Sequence, residues 1–383
     1  MSGQPLFAQI KLHTYFGGGE VFAAHLAEAA TALGGSSVLV VHPKARHWAT
    51  MQLPDTQVIE ATDWAEAVAK LPPKVPVIVH APPPEEIAHA IMASRPLIGF
   101  AHMPLNHFYA ASRHTYATCT RVVGVSDYVI QTIRDLGIEP WPEPFNGVAS
   151  TRRQGEGLGI VSSSEFEWDR RKFRDRLLGL SEPVWSKLRR RAAYHKREGL
   201  TLGIVSRLAP IKQFPLLFEL LAPQLASSQN IYLEIFGAGG FASVRDLRRA
   251  LKPLGDRVRL WGHQHDVARA YAGIDVLMTG LPEREALGLN VIEAQACGVP
   301  VMAPGAPPFT ETVLPEQTGW LYADPRLGGK SNEYPPFAEL LEHVITLWQR
   351  GELPDPRRAV AHMQKFSRQQ FASRLGKLLA DID

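Results

Sequence analysis

Cysteine is nearly absent from the 383 residues: only Cys119 and Cys297 occur, far apart and without a CxxC partner. That excludes a disulfide framework or a zinc ribbon and points to a reducing compartment. No run of about 18 uncharged apolar residues exists, so no membrane-spanning helix is expected. The segment Met1 to Lys11 lacks the basic start and long apolar core of a signal peptide. Glycine and proline are scattered without a period, which excludes a collagen-like chain. The one Asp-x-Asp, Asp381-Ile-Asp383, sits at the extreme C-terminus, an unsuitable place for a metal–diphosphate site. A cytoplasmic enzyme is the expectation.

What is present is an ordinary globular balance, 45% hydrophobic and 21% charged, over a length that predicts two domains. The net charge of +3 hides an asymmetry. Between Trp168 and Glu198 eleven Lys/Arg face four acids, so this block carries the cationic excess and the rest of the chain is acidic. Two readings of the block stand: a solvated helical face, or a patch for an anionic membrane surface or charged acceptor. It contains no nucleic-acid recognition module, so no nucleic acid is expected.

Hydrophobic patterning alternates along the chain. Short apolar runs near 6–12, 36–42, 75–80, 96–102 and 120–125 predict strands, and helical patterns at Glu20–Leu33, Trp64–Leu71, Glu85–Ala93 and Tyr128–Leu136 lie between them. Such alternation predicts a parallel sheet covered on both faces. The proline-dense Glu139-Pro-Trp-Pro-Glu-Pro-Phe-Asn-Gly then reads as a linker. The alternation resumes with strands near 200–205, 231–236, 257–261, 274–278 and 299–303, and helices near 213–226, 242–252, 265–272 and 286–297. The class is therefore α/β, with two doubly wound units. The expected boundaries are 1–148, a basic insertion at 149–198, and 199–365. An amphipathic C-terminal helix at about 366–383 is expected to pack back on the first unit.

Several familiar signatures fail on context. Gly237-Ala-Gly239 follows a strand and opens a helix, but it belongs to the second strand of its unit, and the next strand ends in Trp261-Gly262-His263 with no acid for a ribose. Gly329-Lys-Ser331 has Asp324 five positions before its glycine and Asn332-Glu-Tyr-Pro-Pro where a phosphate-loop helix should begin. Gly124-Val-Ser126 lacks the last glycine of a nucleophile elbow, and Ser126 is better explained as a helix N-cap. His102…His107 and His263-Gln-His265 lack helical metal spacing and nearby acids, so no metal is expected.

Four segments do hold together. Gly17, Gly18 and Gly19, in Tyr15-Phe-Gly-Gly-Gly-Glu20, separate the first strand from the first helix, where backbone amides can approach an anion. Arg207 and Lys212, in Ser206-Arg-Leu-Ala-Pro-Ile-Lys212, occupy the matching loop of the second unit and suit a diphosphate. Glu285 and Glu293 flank Gly288-Leu289-Asn290. Eight helical residues between them give about 12 Å of rise and roughly 80° of rotation, too far for one acid/base pair but suited to two parts of an elongated ligand. Glu293 lies among Val291, Ile292, Ala294 and Ala296, so it needs polar partners if buried. Last, His102 ends an apolar strand, where open α/β sheets bind ligands.

Together, the Glu-x7-Glu spacing, the Arg207/Lys212 pair, the glycine loop and His102 resemble the retaining glycosyltransferases of family 4. Asn146-Gly-Val148 stands where that family's first domain ends, and Gly262 to Asp275 is similar to its loop and helix before the acidic motif. The resemblance implies a GT-B fold, two Rossmann-like domains facing across a cleft. It also implies transfer of a hexose from a UDP- or GDP-sugar with retention, without cofactor or essential metal, to a glycan, lipid-linked or small-molecule acceptor, as in polysaccharide biosynthesis. Arg207 and Lys212 would then neutralise the departing diphosphate, with amides at Gly288–Asn290 adding donors. Glu293 would bind ribose hydroxyls and Glu285 the donor sugar. His102 would face the transferred sugar, and Gly17–Gly19 would line the phosphates. Ala286-Leu287 stands where the family has Gly-Phe, and Thr279-Gly280 where it has Pro-Ser, which leaves the donor sugar open. An epimerase or phosphorylase of the same fold, or a non-catalytic nucleotide-sugar-binding protein, are the alternatives.

Overall fold

The computed structural model describes residues 4–14, 16–105, 112–149, 159–168, 175, 179–180, 192–282, 285–328 and 333–382. Most of the basic block, Tyr15, His107, the Gly329-Lys-Ser331 loop and Asp383 lie outside the described residues. The chain divides into two units, Met1–Val148 with Gln364–Asp383, and Ala149–Met363. Residues 149–198 thus fall with the second unit, and the first unit resumes at Gln364.

Unit one holds six parallel strands: β1 (Phe7–Lys11), β2 (Ser37–Val41), β3 (Thr56–Glu60), β4 (Val77–Val79), β5 (Leu97–Ala101) and β6 (Arg121–Gly124). Their order is β3-β2-β1-β4-β5-β6. The chain winds outward in one direction from β1 and then in the other from β4. Between those two strands the connections diverge, leaving a crevice at their C-terminal ends. β1 and β5 are buried along their whole length, as strands covered on both faces must be. Their apolar side chains pack against helices Trp64–Ala69 and Glu85–Met92 on one side. On the other, helix Gly18–Ala32 meets the C-terminal helix Arg368–Ala380, and Phe371 closes edge-on against Phe22 and Phe145, with centroids 5.2 and 4.9 Å away. Lys377–Glu143 (2.8 Å) and Arg121–Asp381 (2.6 Å) tie the exposed edge of the C-terminal helix.

Unit two repeats the pattern with β7 (Leu200–Val205), β8 (Ile231–Phe236), β9 (Val258–Gly262), β10 (Val276–Met278), β11 (Val301–Pro304) and β12 (Gly319–Tyr322), all parallel. Their order is β12-β11-β10-β7-β8-β9, so the equivalent crevice opens between β7 and β10. Leucine-rich helix Phe214–Ser227 and helix Phe337–Arg350 cover one face. Helices Val267–Ala272 and Leu289–Ala296 cover the other. Residues 159–168 run across the ends of β8 and β9, with Ser163 N donating to Trp261 O (2.9 Å) and Gly239 N to Glu165 O (3.0 Å).

Several elements escape the sequence patterning, two strands and a long helix among them. β3 is a polar edge strand, Thr-Gln-Val-Ile-Glu, with no apolar run to reveal it. β12 has only four residues, and helix Phe337–Arg350 follows a proline pair that reads as loop. Among the described residues no helix is long and apolar enough to cross a membrane.

Candidate functional site

In unit one the polar residues of an otherwise apolar strand mark the crevice. Gln9 and Lys11 of β1 are buried, so both need partners. The Lys11 ammonium lies 3.1 Å from Glu20, itself buried in the first turn of helix Gly18–Ala32. Burial pushes the lysine below its ordinary range, and the Glu20 charge opposes that shift. The predicted loop Gly17–Gly19 opens this helix directly above the pair. A β-carbon on Gly19 would stand only 2.7 Å from Lys11 Nζ, so the absence of a side chain lets the ammonium sit beneath the loop.

His102 follows β5, and His80 follows β4. Their rings stack, with centroids 5.1 Å apart, and His80 Nδ1 lies 2.8 Å from His102 Nε2. His80 Nε2 in turn lies 2.8 Å from Gln9 Oε1. Phe22 meets both rings edge-on. Burial, then the Lys11 charge, push His102 down to about 3 and His80 well below the usual imidazole range, so both rings are neutral at physiological pH.

In unit two, Arg207 and Lys212 sit in the loop after β7, and Glu285 in the loop after β10. Lys212 Nζ pairs with Glu285 Oε2. Glu285 Oε1 accepts from the amides of Ala286 (3.3 Å) and Gly288 (3.2 Å). One carboxylate therefore orders its own loop and holds the lysine of another. Arg207 is half-exposed and lies 3.3 Å from Glu167 of the 159–168 segment.

The two glutamates do not share one helix. The helix begins at Leu289, with Gly288 as its cap at φ +79°, a left-handed conformation open to glycine at little cost. Glu285 is therefore outside the helix, and a separation computed from helical rise does not apply to it. The amides of Leu289 and Asn290 have no backbone acceptor among the described residues, which leaves donors at a helix start. Glu293, one turn further, is partly buried and accepts from the Tyr271 hydroxyl at 3.0 Å. Burial raises its carboxyl to about 7, against which the Tyr271 bond works.

Of the rejected signatures, the structure explains two. A β-carbon on Gly237 would meet Ser206 O at 1.8 Å, and one on Gly239 would meet Leu208 O at 2.2 Å. These glycines let the loop after β8 press against the loop carrying Arg207. Ser126 caps its helix by accepting from Val129 N at 3.1 Å. Sequence reasoning missed Gln9, Lys11, His80 and Tyr271 as partners. The polar residues within the buried run Phe-Ala-Gln-Ile-Lys were the available signal for the first two.

The description "Glycosyl transferases group 1" matches residues 199–327, the part of unit two that carries Arg207, Lys212, Glu285 and Glu293. This stretch of unit two is thus similar to the group 1 glycosyltransferases. A Corynebacterium glutamicum protein named GDP-mannose-dependent monoacylated alpha-(1-6)-phosphatidylinositol monomannoside mannosyltransferase is 31% identical over 140 residues. That alignment takes in 33% of this chain and 36% of the relative's length. The whole architecture matches solved structures at lower identity. Anabaena HepE, determined with UDP and glucose, superposes with a TM-score of 0.68 at 16% identity over 98% of this chain and 99% of its own. Sucrose-phosphate synthase from Thermosynechococcus elongatus gives 0.70 at 15% identity over 99% of both chains. The chain thus has the GT-B fold.

Proposed function

We propose that the chain transfers a sugar from a nucleoside diphosphate sugar to an acceptor with retention at the anomeric carbon, as a family 4 enzyme. The observation that carries this reading is the Lys212–Glu285 pair joining the loops after β7 and β10, with Arg207 on the same β7 loop and the amides of Leu289 and Asn290 lacking a backbone acceptor among the described residues. Two side-chain cations and a helix start all lie on loops at the strand ends where such sheets bind ligands. They supply the charge a departing diphosphate needs without a metal ion, and stabilising developing charge is commonly the largest catalytic contribution. Before the donor binds, Glu285 and Glu167 balance these cations. The diphosphate then displaces Glu167 from Arg207, while Glu285 keeps Lys212 aimed and accepts from the donor sugar. Glu293 takes the ribose hydroxyls. In unit one, His102 meets a sugar hydroxyl, and Gly17–Gly19 offer amides.

The base is uridine or guanosine: HepE was solved with UDP, and the Corynebacterium relative is named for GDP-mannose. The acceptor is a glycan or a lipid-linked glycan, a choice supported by the lipid named for that relative. The work is placed in the cytoplasm, and the basic block 168–198 is the candidate for contact with an anionic membrane. Salt-dependent binding to anionic but not neutral vesicles tests that contact.

Arg207→Ala and Lys212→Ala should each lower turnover of UDP-glucose or GDP-mannose by about 10²–10³-fold, the range seen when one stabilising donor is removed. Circular dichroism checks that both variants stay folded. Nucleoside diphosphate released only when acceptor is added identifies transfer. Wild-type turnover in both variants would sink the assignment.

A further inference from the structure

Gln9, in the middle of β1, and His80 and His102, just past β4 and β5, lie on adjacent strands in a single file of hydrogen bonds. The direction of those bonds follows from one end. Gln9 Nε2 donates to the Ala23 carbonyl at 3.1 Å, and turning the amide over would set two oxygens against each other. Gln9 Oε1 therefore faces His80, and His80 Nε2 must carry a hydrogen to donate to it. A neutral His80 then has its lone pair on Nδ1, which can only accept, so His102 Nε2 carries the hydrogen between the rings. His80 is held neutral by its surroundings: it is buried between Phe22 and Phe100, with the Lys11 ammonium nearby and His13 beyond it. His102, neutral in turn, keeps its lone pair on Nδ1. Among the described residues that nitrogen makes no hydrogen bond.

We propose that Gln9 and His80 are positioning residues that lock His102 as the Nε2–H tautomer, so that it meets its substrate at Nδ1 as a hydrogen-bond acceptor. The chemical consequence is selective. A lone pair repels phosphate oxygens, which only accept, and attracts a hydroxyl, which donates. His102 thus reads a sugar hydroxyl and neither binds the diphosphate nor protonates a leaving group. This specifies the role given to His102 in the glycosyltransferase reading and rests on that reading for its ligand, but the tautomer itself does not.

Two measurements separate the parts. Two-bond 1H–15N correlation spectra of the full chain labelled at histidine, with His102→Asn and His80→Asn used for assignment, should show both rings protonated at Nε2 alone at pH 7. Gln9→Leu should release the lock and give mixed tautomers, and Gln9→Asn, which keeps a shorter amide, serves if the leucine variant fails to fold. A wild-type His102 protonated at Nδ1, or doubly protonated, overturns the proposal without reference to activity. Calorimetry with UDP-glucose and GDP-mannose, and with their monodeoxy analogues, tests the ligand. Gln9→Leu should weaken the accepted sugar nucleotide about tenfold, equivalent to about 1.4 kcal/mol, and one deoxy analogue should bind both proteins equally. Equal weakening for every analogue, together with the expected spectra, overturns the hydroxyl assignment and leaves the tautomer standing.

Discussion

Replacing Glu293 by glutamine should make the protein more stable at alkaline pH while removing the pH dependence of its nucleotide affinity. The carboxyl is partly buried on an apolar helix, and burial raises it from 4.5 to about 7. A group raised in the folded state contributes stability that is fully present below its unfolded value and is lost as pH climbs through its folded value. At about 1.4 kcal/mol for each tenfold change, most of about 3 kcal/mol disappears between pH 5 and pH 8. Glutamine keeps the shape, cannot ionise and still accepts from Tyr271, although a neutral acceptor gives up about 1 kcal/mol of that bond. Urea unfolding should therefore find Glu293→Gln about 2 kcal/mol more stable than wild type at pH 8, with no such advantage at pH 5. Comparing variant with wild type at each pH cancels the other titrating groups. In its proposed role Glu293 accepts from ribose hydroxyls as the ionised carboxylate, so wild-type affinity for UDP or GDP should rise with pH through about 7 and that of the variant should stay flat. If the stability gap is the same at both pH values, Glu293 ionises freely and the reasoning about its burial fails. If the gap behaves as stated but both proteins show one pH profile for nucleotide, Glu293 does not bind the ribose.

Tyr271→Phe removes the hydroxyl that favours the ionised Glu293, so the pH midpoint of nucleotide affinity should move upward. Lys11→Met leaves the buried Glu20 charge unpaired and should cost about 3–5 kcal/mol in urea unfolding, while Lys11→Met with Glu20→Gln should recover most of it. Phe371→Ala empties a site bounded by Phe22 and Phe145 and should cost about 3–5 kcal/mol in the transition of unit one, leaving that of unit two unchanged.

The sheets were legible because strands buried on both faces, such as β1 and β7, are nearly continuous apolar runs. Edge strand β3 was not, because its exposed positions carry polar side chains that erase the contrast. At the site, loop positions such as Arg207, Lys212 and Glu285 announced themselves as charges at strand ends. Their pairing could not be read, because Lys212 and Glu285 are brought together by the order of β7 and β10, not by local spacing. The same holds for Gln9, His80 and His102, which become neighbours only once β1, β4 and β5 lie side by side. Glu285 misled in a particular way. The rule of helical rise was sound, but Gly288 starts the helix after the residue to which the rule was applied.

The C-terminal helix carries a consequence for how the protein comes into being. Unit one is assembled from segments on both sides of unit two in the chain, and Phe371 of the later segment covers an aromatic face formed by Phe22, Phe100 and Phe145 of the earlier one. Between them the ribosome must make the more than two hundred residues of unit two. At about 5–20 residues per second, that face waits roughly 10–40 seconds with its closing helix still unmade. The nascent first unit is thus an incomplete domain open to chaperones while unit two is made, and a stop codon placed just after unit two would leave its aromatic face uncovered.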